Sequence, residues 1–513
     1  MGQVTGVRCG ARFVSYPELF DAAARVARGF AEVGIEPGSA DRIALLLRND
    51  IAFIEATLGA AALGAVPVPI NWHWKAEEVG YLLRDSEAKV LVVHDDLLAD
   101  VAETIPAGVA VVAVGAAEKL AGAAGSSDSR RDLITNAHSY QQWHADFIPW
   151  DEAPERAPMS VIYTSGTTGT PKGVVRRPQA EQDAQRTQLM LEHVFHLGPE
   201  QRTVIPAPMY HTAPNVYSLA AAVRGMDMVI MSGFDAEAFL AIVERQRTTT
   251  VQMVPTMFVR LLALPEEVRA RYDLSSLEWV VHAAAPCPPE VKSAMIEWLG
   301  PIVTEYYGCT ETGACVFCTS EQWLAHPGTV GRPLEGANVA IFDTDGRKLP
   351  QGESGDVYMW LDAWPDFTYQ GDEHKRAAAE RDGLITCGDV GYLDADGFLY
   401  LNDRRSDMVI SGGVNVYPAE IEACLITLDG VRDCAVFGIP DEQFGEVLAA
   451  HIEVDPHAGL EAADVRQHVG RKLARYKIPR VIEFSAALPR EDSGKIFKRH
   501  LRDPYWAGME RRI

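Results

Sequence analysis

"YTSGTTGTPKGVV", residues 163–175, packs three glycines, a run of hydroxyls and one lysine into a dozen positions. It looks at first like a phosphate loop of the Gly-x-x-x-x-Gly-Lys-Ser/Thr kind, in which the lysine opens a helix. Here Lys172 stands between Pro171 and Gly173. That order disfavours a helix starting at the lysine and favours a turn or extended chain. Gly166, Gly169 and Gly173 permit close backbone approach, and the amides and hydroxyls of Thr164, Ser165, Thr167 and Thr168 can bond phosphate oxygens without a helix dipole. Lys172 would neutralise the outer phosphates. Taken alone, such a stretch is as often a plain turn.

The pattern on either side of the loop is that of an α/β protein. Before it, a helical "YPELFDAAARVARGFAEVG" with Leu19, Phe20, Ala23, Val26, Ala27 and Phe30 on one face leads into alternating strand and helix signals, "RIALLLR", "IAFIEATLGAAALG", "AVPVPI", "EEVGYLLRDS" and "KVLVVH". This rhythm predicts a parallel sheet with crossover helices. Residues 115–150 turn Ala/Gly/Ser-rich and polar, which reads as a surface excursion between two sublobes. After the loop come strand signals at "TVIPA", "DMVIM", "TVQMVP" and "EWVVHAAA". A lobe of strands and Gly/Asp turns follows, from "VYMWL" to "GFLYLNDR". Beyond residue 405 a compact unit follows, with helices at "YPAEIEACLITL" and "AADVRQHVGRKLA" and strands at "CAVFGI", "VLAAHIEV" and "VIEFS".

Composition narrows the function classes. At 513 residues the chain exceeds one ordinary core. Its 47% hydrophobic and 23% charged content is that of a globular protein, not a disordered one. A formal charge of −24 argues against a nucleic-acid or anionic-membrane surface, so an anionic ligand must be met by local basic groups. The opening "MGQVTGVRCG" has no apolar signal core, and Gly6 stands where a myristoylation signal wants Ser or Thr. The most apolar stretch, residues 56–70, is short and holds two prolines, a poor membrane span. A cytoplasmic enzyme is the expectation. The eight cysteines are scattered, with one Cys-x-x-Cys pair at Cys315 and Cys318, and read as buried or inert thiols.

Four further segments stand with the loop in one order: "PMYHTAPN" (208–215), "YYGCTETG" (306–313), "TCGDVGYLDADGFLYLNDRRSDMVISGGVNVYPAEIE" (386–422) and "LPREDSGKIFKR" (488–499), with Arg404 fifteen positions after Asp389. Together these resemble the adenylate-forming superfamily of acyl-CoA synthetases, firefly-type luciferases and peptide-synthetase adenylation domains, and the resemblance spans nearly the whole chain. It implies a large N-terminal domain over residues 1–405, made of two α/β sublobes and a small antiparallel β-lobe. A small mobile α+β domain follows over 406–513, with a hinge near Ser406. Family members often carry Asp or Lys at that hinge, so the serine is a departure.

The resemblance also assigns roles. Residues Thr164 to Lys172 would hold the β- and γ-phosphates of ATP. Tyr307 would pack on adenine beside Ala284 and Ala285, and Thr310 would bond the α-phosphate. Glu311, together with Thr164, would serve Mg²⁺, a hard cation for which one carboxylate is adequate. Asp389 would accept from the ribose hydroxyls and Arg404 would reach ribose or phosphate. His211 matches the position between phosphate loop and carboxylate pocket. Lys495 of "SGKI" would be delivered to the oxygens that gather charge during adenylation. Its basic neighbours Lys498, Arg499 and Arg502 read as a solvated face. Gly412 and Gly413 would leave room beside the pantetheine arm of coenzyme A.

The implied reaction converts a carboxylate and MgATP to an acyl-adenylate and pyrophosphate, and a thiol then attacks the carbonyl. The acid pocket would be lined by "TAPNVYSLAA", "PTMFVRLL" and "AAAPCPP", apolar stretches that favour a hydrophobic monocarboxylic acid of fatty, aryl or polycyclic type. Coenzyme A is the expected acceptor. An acyl-carrier protein, arrest at the adenylate, a carboxylate kinase and a non-catalytic nucleotide-binding relative stay open, as does the oligomeric state, a homodimer included.

Overall fold

The computed structural model describes residues 4–115, 138–152, 154, 157–164, 171–411, 414–490 and 496–507. The loop residues Ser165, Gly166, Thr167, Thr168 and Gly169, the pair Gly412 and Gly413, and Lys495 lie outside the described residues.

The first helix, Tyr16–Glu32, shows how the chain writes its own elements. Ser15 closes a capping box with Glu18, whose carboxylate accepts from the Ser15 amide at 2.9 Å, and Pro17 opens the first turn. Leu19, Ala23, Val26, Ala27 and Phe30 are buried along one stripe. Phe20, expected on that stripe, is 43% exposed. It stands one position past Leu19, a rotation of about 100° off the core-facing line.

Strands Val66–Pro69, Arg42–Leu46, Ala88–His94, Ala110–Val114 and His138–Ser139 form a five-stranded sheet in that order, every neighbouring pair parallel. Beyond their first residues and the exposed Lys89, its interior strands are buried, as parallel strands covered on both faces must be. The apolar stretch 56–70 divides between the helix Ile51–Leu63 and the strand Val66–Pro69, separated by a left-handed Gly64. Among the described residues no helix is long and apolar enough to cross a membrane.

A second sheet has nine strands, in the order Arg332–Pro333, Gly313–Cys318, Val303–Cys309, Trp279–His282, Thr250–Met253, Arg202–Ile205, Asp227–Ile230, Gly6–Cys9 and Arg12–Ser15. Its centre is parallel and its two ends turn antiparallel. The antiparallel lobe comprises Ala337–Phe342, Gly355–Leu361 and Leu384–Leu393, with Glu380–Arg381 and Leu399–Arg404 both pairing to the last of these. A small sheet of Phe367–Tyr369, Lys172–Arg176 and Ile162–Thr164 carries the loop. The C-terminal unit is a sheet of Val414–Val416, Val409–Ser411, Gly445–Val454 and Val431–Asp441, with Val481–Ser485 parallel to Gly445–Val454, packed with helices Pro418–Leu425 and Ala462–Lys472. The mixed α/β class is that expected.

Three further readings are corrected. The second half of the supposed excursion at 115–150 is packed: Tyr140 and Trp143 are buried, the Trp143 ring lies 5.5 Å from that of Phe30, and a side chain at Gly29 would collide with the Trp143 indole. Here the apolar anchors are too few per turn to reveal themselves in a polar, small-residue stretch. Lys498 is no solvated residue. Its Nζ lies 2.8 Å from Glu422, near Asp403 and Asp407, and these carboxylates hold it above the ordinary lysine range. The cysteines are not all free thiols either, since Cys309 and Cys387 form a disulfide. Cys315 and Cys318 are buried and unbonded. Three positions apart on one strand, they face opposite sides and pack into different cores.

Asp403 accepts from the Ala419 amide at 2.9 Å, and burial pushes its carboxyl up to about 6. A raised folded value means that the folded chain favours the protonated acid. The contribution is therefore present at low pH and is lost as pH rises through about 6. We predict that Asp403→Asn raises thermal stability at pH 7.5 by on the order of 1 kcal/mol, and that this advantage shrinks to nothing near pH 4. Paired melts of the two proteins across pH 4–8 check the sign.

Candidate nucleotide site

The loop is held by a hairpin. Thr164 pairs with Lys172 at its base, and Lys172 opens the strand Lys172–Arg176, extended as Pro171 and Gly173 require. Tyr369, on the neighbouring strand, pairs with Val174, and the Lys172 ammonium lies 5.6 Å over its ring. The Tyr369 hydroxyl donates to Glu311 Oε1 at 2.9 Å. Loop base and Glu311 are thus joined through one tyrosine.

Glu311 sits at the tip of the turn between Val303–Cys309 and Gly313–Cys318. The turn is very tight: a Cβ at Gly308 would overlap the Gly313 carbonyl, and Gly313 has φ +69° with the Trp364 indole against it. No other residue fits either position without displacing the tip. Arg176 locks it from beneath, donating to the carbonyls of Glu311 at 2.7 Å and Pro365 at 3.1 Å. Burial lowers this guanidinium to about 10, so it stays charged at neutral pH. No basic side chain forms an ion pair with the Glu311 carboxylate among the described residues. A carboxylate held by a neutral hydroxyl, with no direct ion pair among the described residues, fits a Mg²⁺ ligand.

Across from this turn, Asp389 faces Arg404 in the antiparallel register. Asp389 Oδ2 accepts from the Tyr307 hydroxyl at 2.6 Å, and Oδ1 lies 3.3 Å from Arg404 Nε. Burial and the Asp389 charge push the Tyr307 phenol well above its ordinary value, so it remains a donor. Ala284 and Ala285 follow the strand Trp279–His282, the parallel neighbour of the one that carries Tyr307. Ala284 has φ +75°, a left-handed backbone on a residue with a Cβ, of the kind that persists where the surroundings over-determine it.

His211 caps the helix Thr212–Val223. The next residue, Thr212, shares a 2.7 Å hydroxyl contact with Thr310, which brings the histidine segment to the Tyr307–Glu311 turn. Asn49 holds the segment leading to His211: its amide donates to the carbonyls of Ala207 and Met231 and its oxygen accepts from the Met209 amide at 2.8 Å. Asn215 donates to the Met209 carbonyl at 3.0 Å.

The structure therefore brings Thr164, Lys172, Glu311, Thr310, Tyr307, Asp389, Arg404 and His211 into linked contacts. Ser406 lies in the turn that joins Leu399–Arg404 to Val409–Ser411. Sequence reasoning missed Asn49, Arg176, Asn215 and Tyr369. Asn49 and Arg176 have no local signature, because their partners are 158 and 135 positions away. Asn215 lies inside a quoted motif and offered a signal.

The chain matches the AMP-binding enzyme family model over residues 4–361 and the AMP-binding enzyme C-terminal domain model over 420–495. It is 33% identical over 500 residues to the long-chain-fatty-acid–CoA ligase FadD13 of Mycobacterium tuberculosis, covering 96% of this chain and 93% of that one. It is 32% identical over 508 residues to a feruloyl-CoA synthase of an Amycolatopsis species, covering 97% and 95%. Among solved structures, the anthranilate CoA ligase AuaEII in complex with anthranoyl-AMP superposes with a TM-score of 0.84 at 27% identity, covering 98% and 94%.

We predict that Asp389→Ala raises the apparent KM for ATP at least tenfold with a smaller effect on kcat, and that Tyr307→Phe does so more weakly. Steady-state kinetics at saturating acid would show it, and an unchanged KM would remove Asp389 from the nucleotide site. By its sequence match and its fold, this chain belongs to the AMP-binding enzyme family, the adenylate-forming superfamily, and is a ligase of the acyl-CoA synthetase type.

Proposed function

We propose that the enzyme joins a hydrophobic carboxylic acid to ATP as an acyl-adenylate, releases pyrophosphate, and passes the acyl group to coenzyme A. The observation that carries this reading is the junction of Tyr307, Asp389 and Arg404 with the Thr310–Glu311 turn and the base of the 163–175 loop. It offers, within one set of contacts, a ring, a carboxylate acceptor, a hydroxyl and a carboxylate for a cation.

In this reading Tyr307 and Asp389 orient the nucleoside, Thr310 holds the α-phosphate, and Lys172 with the loop Thr164, Ser165, Gly166, Thr167, Thr168 and Gly169 receives the departing pyrophosphate. Magnesium bound at Glu311 would neutralise phosphate charge. Lys495 would offset the charge that develops between the carboxylate and α-phosphate oxygens. His211, at a helix N-terminus beside Thr310, would border the acid's carboxylate. The acid would lie along the half-buried, uncharged face of the Thr212–Val223 helix at Ala213, Val216 and Leu219. The charged pair Lys292–Glu305, which flanks the 283–289 segment, is buried with its partners 2.5 Å apart. Burial and Lys292 hold His282 well below its ordinary value, so it stays neutral. Nothing in that set calls for a second charge on the substrate.

For the thiol step, a rotation about Ser406 would replace the Lys495 face by one that includes Gly412 and Gly413, with residues 1–405 and 406–513 as the two moving parts. A carrier protein is the second reading for the acceptor. It is favoured by 31% identity over 520 residues to the fatty acid–[acyl-carrier-protein] ligase ScoC of Streptomyces coeruleorubidus, covering 99% and 94%.

Pyrophosphate release with ATP and a panel of fatty, aryl and polycyclic acids, run with and without coenzyme A, tests the proposal. Turnover with one acid class that requires coenzyme A is expected. Equally slow release in both arms would point to another acceptor, and ADP as product would overturn adenylation. Lys495→Ala should abolish adenylate formation while supplied acyl-adenylate still reacts with thiol, and a bulky residue at Gly413 should do the reverse. Equal loss of both steps in both variants would sink the two-conformation scheme.

A further inference from the structure

Cys309 and Cys387 lie 78 positions apart in sequence, yet are bonded with their Cα atoms 6.6 Å apart. They come from different sheets. Cys309 ends the strand Val303–Cys309, two residues past Tyr307 and next to Thr310. Cys387 lies in Leu384–Leu393, two residues before Asp389. Both sulfurs and a Glu311 carboxylate oxygen lie within 4.8 Å of one another. The bond therefore runs between the segments that meet at the nucleotide site, alongside the Tyr307–Asp389 hydrogen bond. Cys315 and Cys318, by contrast, are buried with thiols pushed up to about 12, which makes them poor nucleophiles.

We propose that Cys309 and Cys387 are a reversible thiol–disulfide couple that gates this site, with the dithiol form admitting ATP and the disulfide form rejecting it. The inference rests on the nucleotide-site reading above. In the bonded form the Tyr307–Glu311 turn and the Asp389 strand are tied together, with Tyr307 donating to Asp389 Oδ2 and Arg404 Nε 3.3 Å from Oδ1. A ribose must fit its hydroxyls beside these contacts, and an adenine must insert beside Tyr307. Both need the two segments to part by a small distance that a covalent tie opposes. The sulfurs also stand against the Glu311 carboxylate, where a hydrated cation needs room for its waters. In the dithiol form the covalent tie is gone, and the Tyr307–Asp389 hydrogen bond that still spans the two segments can exchange with ligand groups.

A low-molecular-weight disulfide is a sufficient oxidant. The thiolate of one cysteine attacks it, expelling one small thiolate and forming a mixed disulfide. The second cysteine then attacks the protein sulfur and expels the other small thiolate. Two protein thiols lose two electrons and two protons, and one small disulfide becomes two small thiols. Linkage makes the effect reciprocal: if the bond weakens ATP binding by some factor, ATP must oppose the bond by that same factor.

The test uses the full chain, reduced with dithiothreitol or oxidised with glutathione disulfide. MgATP affinity is measured by calorimetry, and bonded cysteines are identified by peptide mass spectrometry. We expect at least tenfold weaker MgATP binding in the oxidised protein, recovery on reduction, and oxidant-insensitive binding in Cys309→Ser and Cys387→Ser. In a glutathione redox buffer, saturating MgATP should shift the midpoint of Cys309–Cys387 oxidation toward more oxidising conditions. Equal affinity with the bond verified, no such bond under any oxidising condition, or oxidant sensitivity that survives in both variants would each overturn the proposal. A reduced protein that binds no MgATP would instead overturn the nucleotide-site reading, and the gate with it.

Discussion

The Asp389 carboxylate is the joint on which this architecture turns. One oxygen takes the hydroxyl of Tyr307 from the nine-stranded sheet, and the other faces Arg404 from the antiparallel lobe. Neither bond is strong by itself, since a half-exposed ion pair and one hydrogen bond each contribute about 1 kcal/mol. Their importance is geometric. The Tyr307 bond spans the seam where two sheets meet, Arg404 braces Asp389 from within its own sheet, and the other site residues are linked to that seam by contacts. Glu311 is reached from Tyr307 through a turn too tight for any side chain at Gly308, and Lys172 is reached from Glu311 through Tyr369.

A chain with a formal charge of −24 has to concentrate its few useful cations where a polyanion is to bind. Arg176, Lys172 and Arg404 are each held against an aromatic ring, a carbonyl pair or a carboxylate. Elsewhere positive charge is spent internally, as at Lys292 with Glu305 and Lys498 with Glu422. The Lys498 case matters for the small domain. It places a half-buried charge cluster, Asp403, Asp407, Glu422 and Lys498, around the turn that contains Ser406. A rearrangement at that turn has to carry those charges into a new environment, so its balance depends on how they are paired and protonated.

Where the fold was legible, a local rule sufficed. Pro171 and Gly173 forced Lys172 into a strand. Continuous apolar runs such as Val90 to Val93 marked buried parallel strands, and the capping box at Ser15 marked the first helix. Where it was not legible, the cause was long-range packing. Phe20 has the character of a core residue but the wrong angle, while Tyr140 and Trp143 are anchors hidden in a polar stretch. The pairing of Cys309 with Cys387 has no signature at all, since scattered cysteines reveal nothing of which strands will adjoin.

By itself, the sequence determined this protein's element types, which follow from backbone preferences that act over a few positions, and the order of its motifs carried the resemblance that implied its class and its candidate site residues. Tertiary structure alone decided which of these groups touch: Tyr307 on Asp389, Tyr369 on Glu311, Thr212 on Thr310, and Asn49 beneath the segment that ends at His211. Such contacts join residues tens to hundreds of positions apart. They exist only where several sheets close on one another, and no local pattern in the chain encodes that closure.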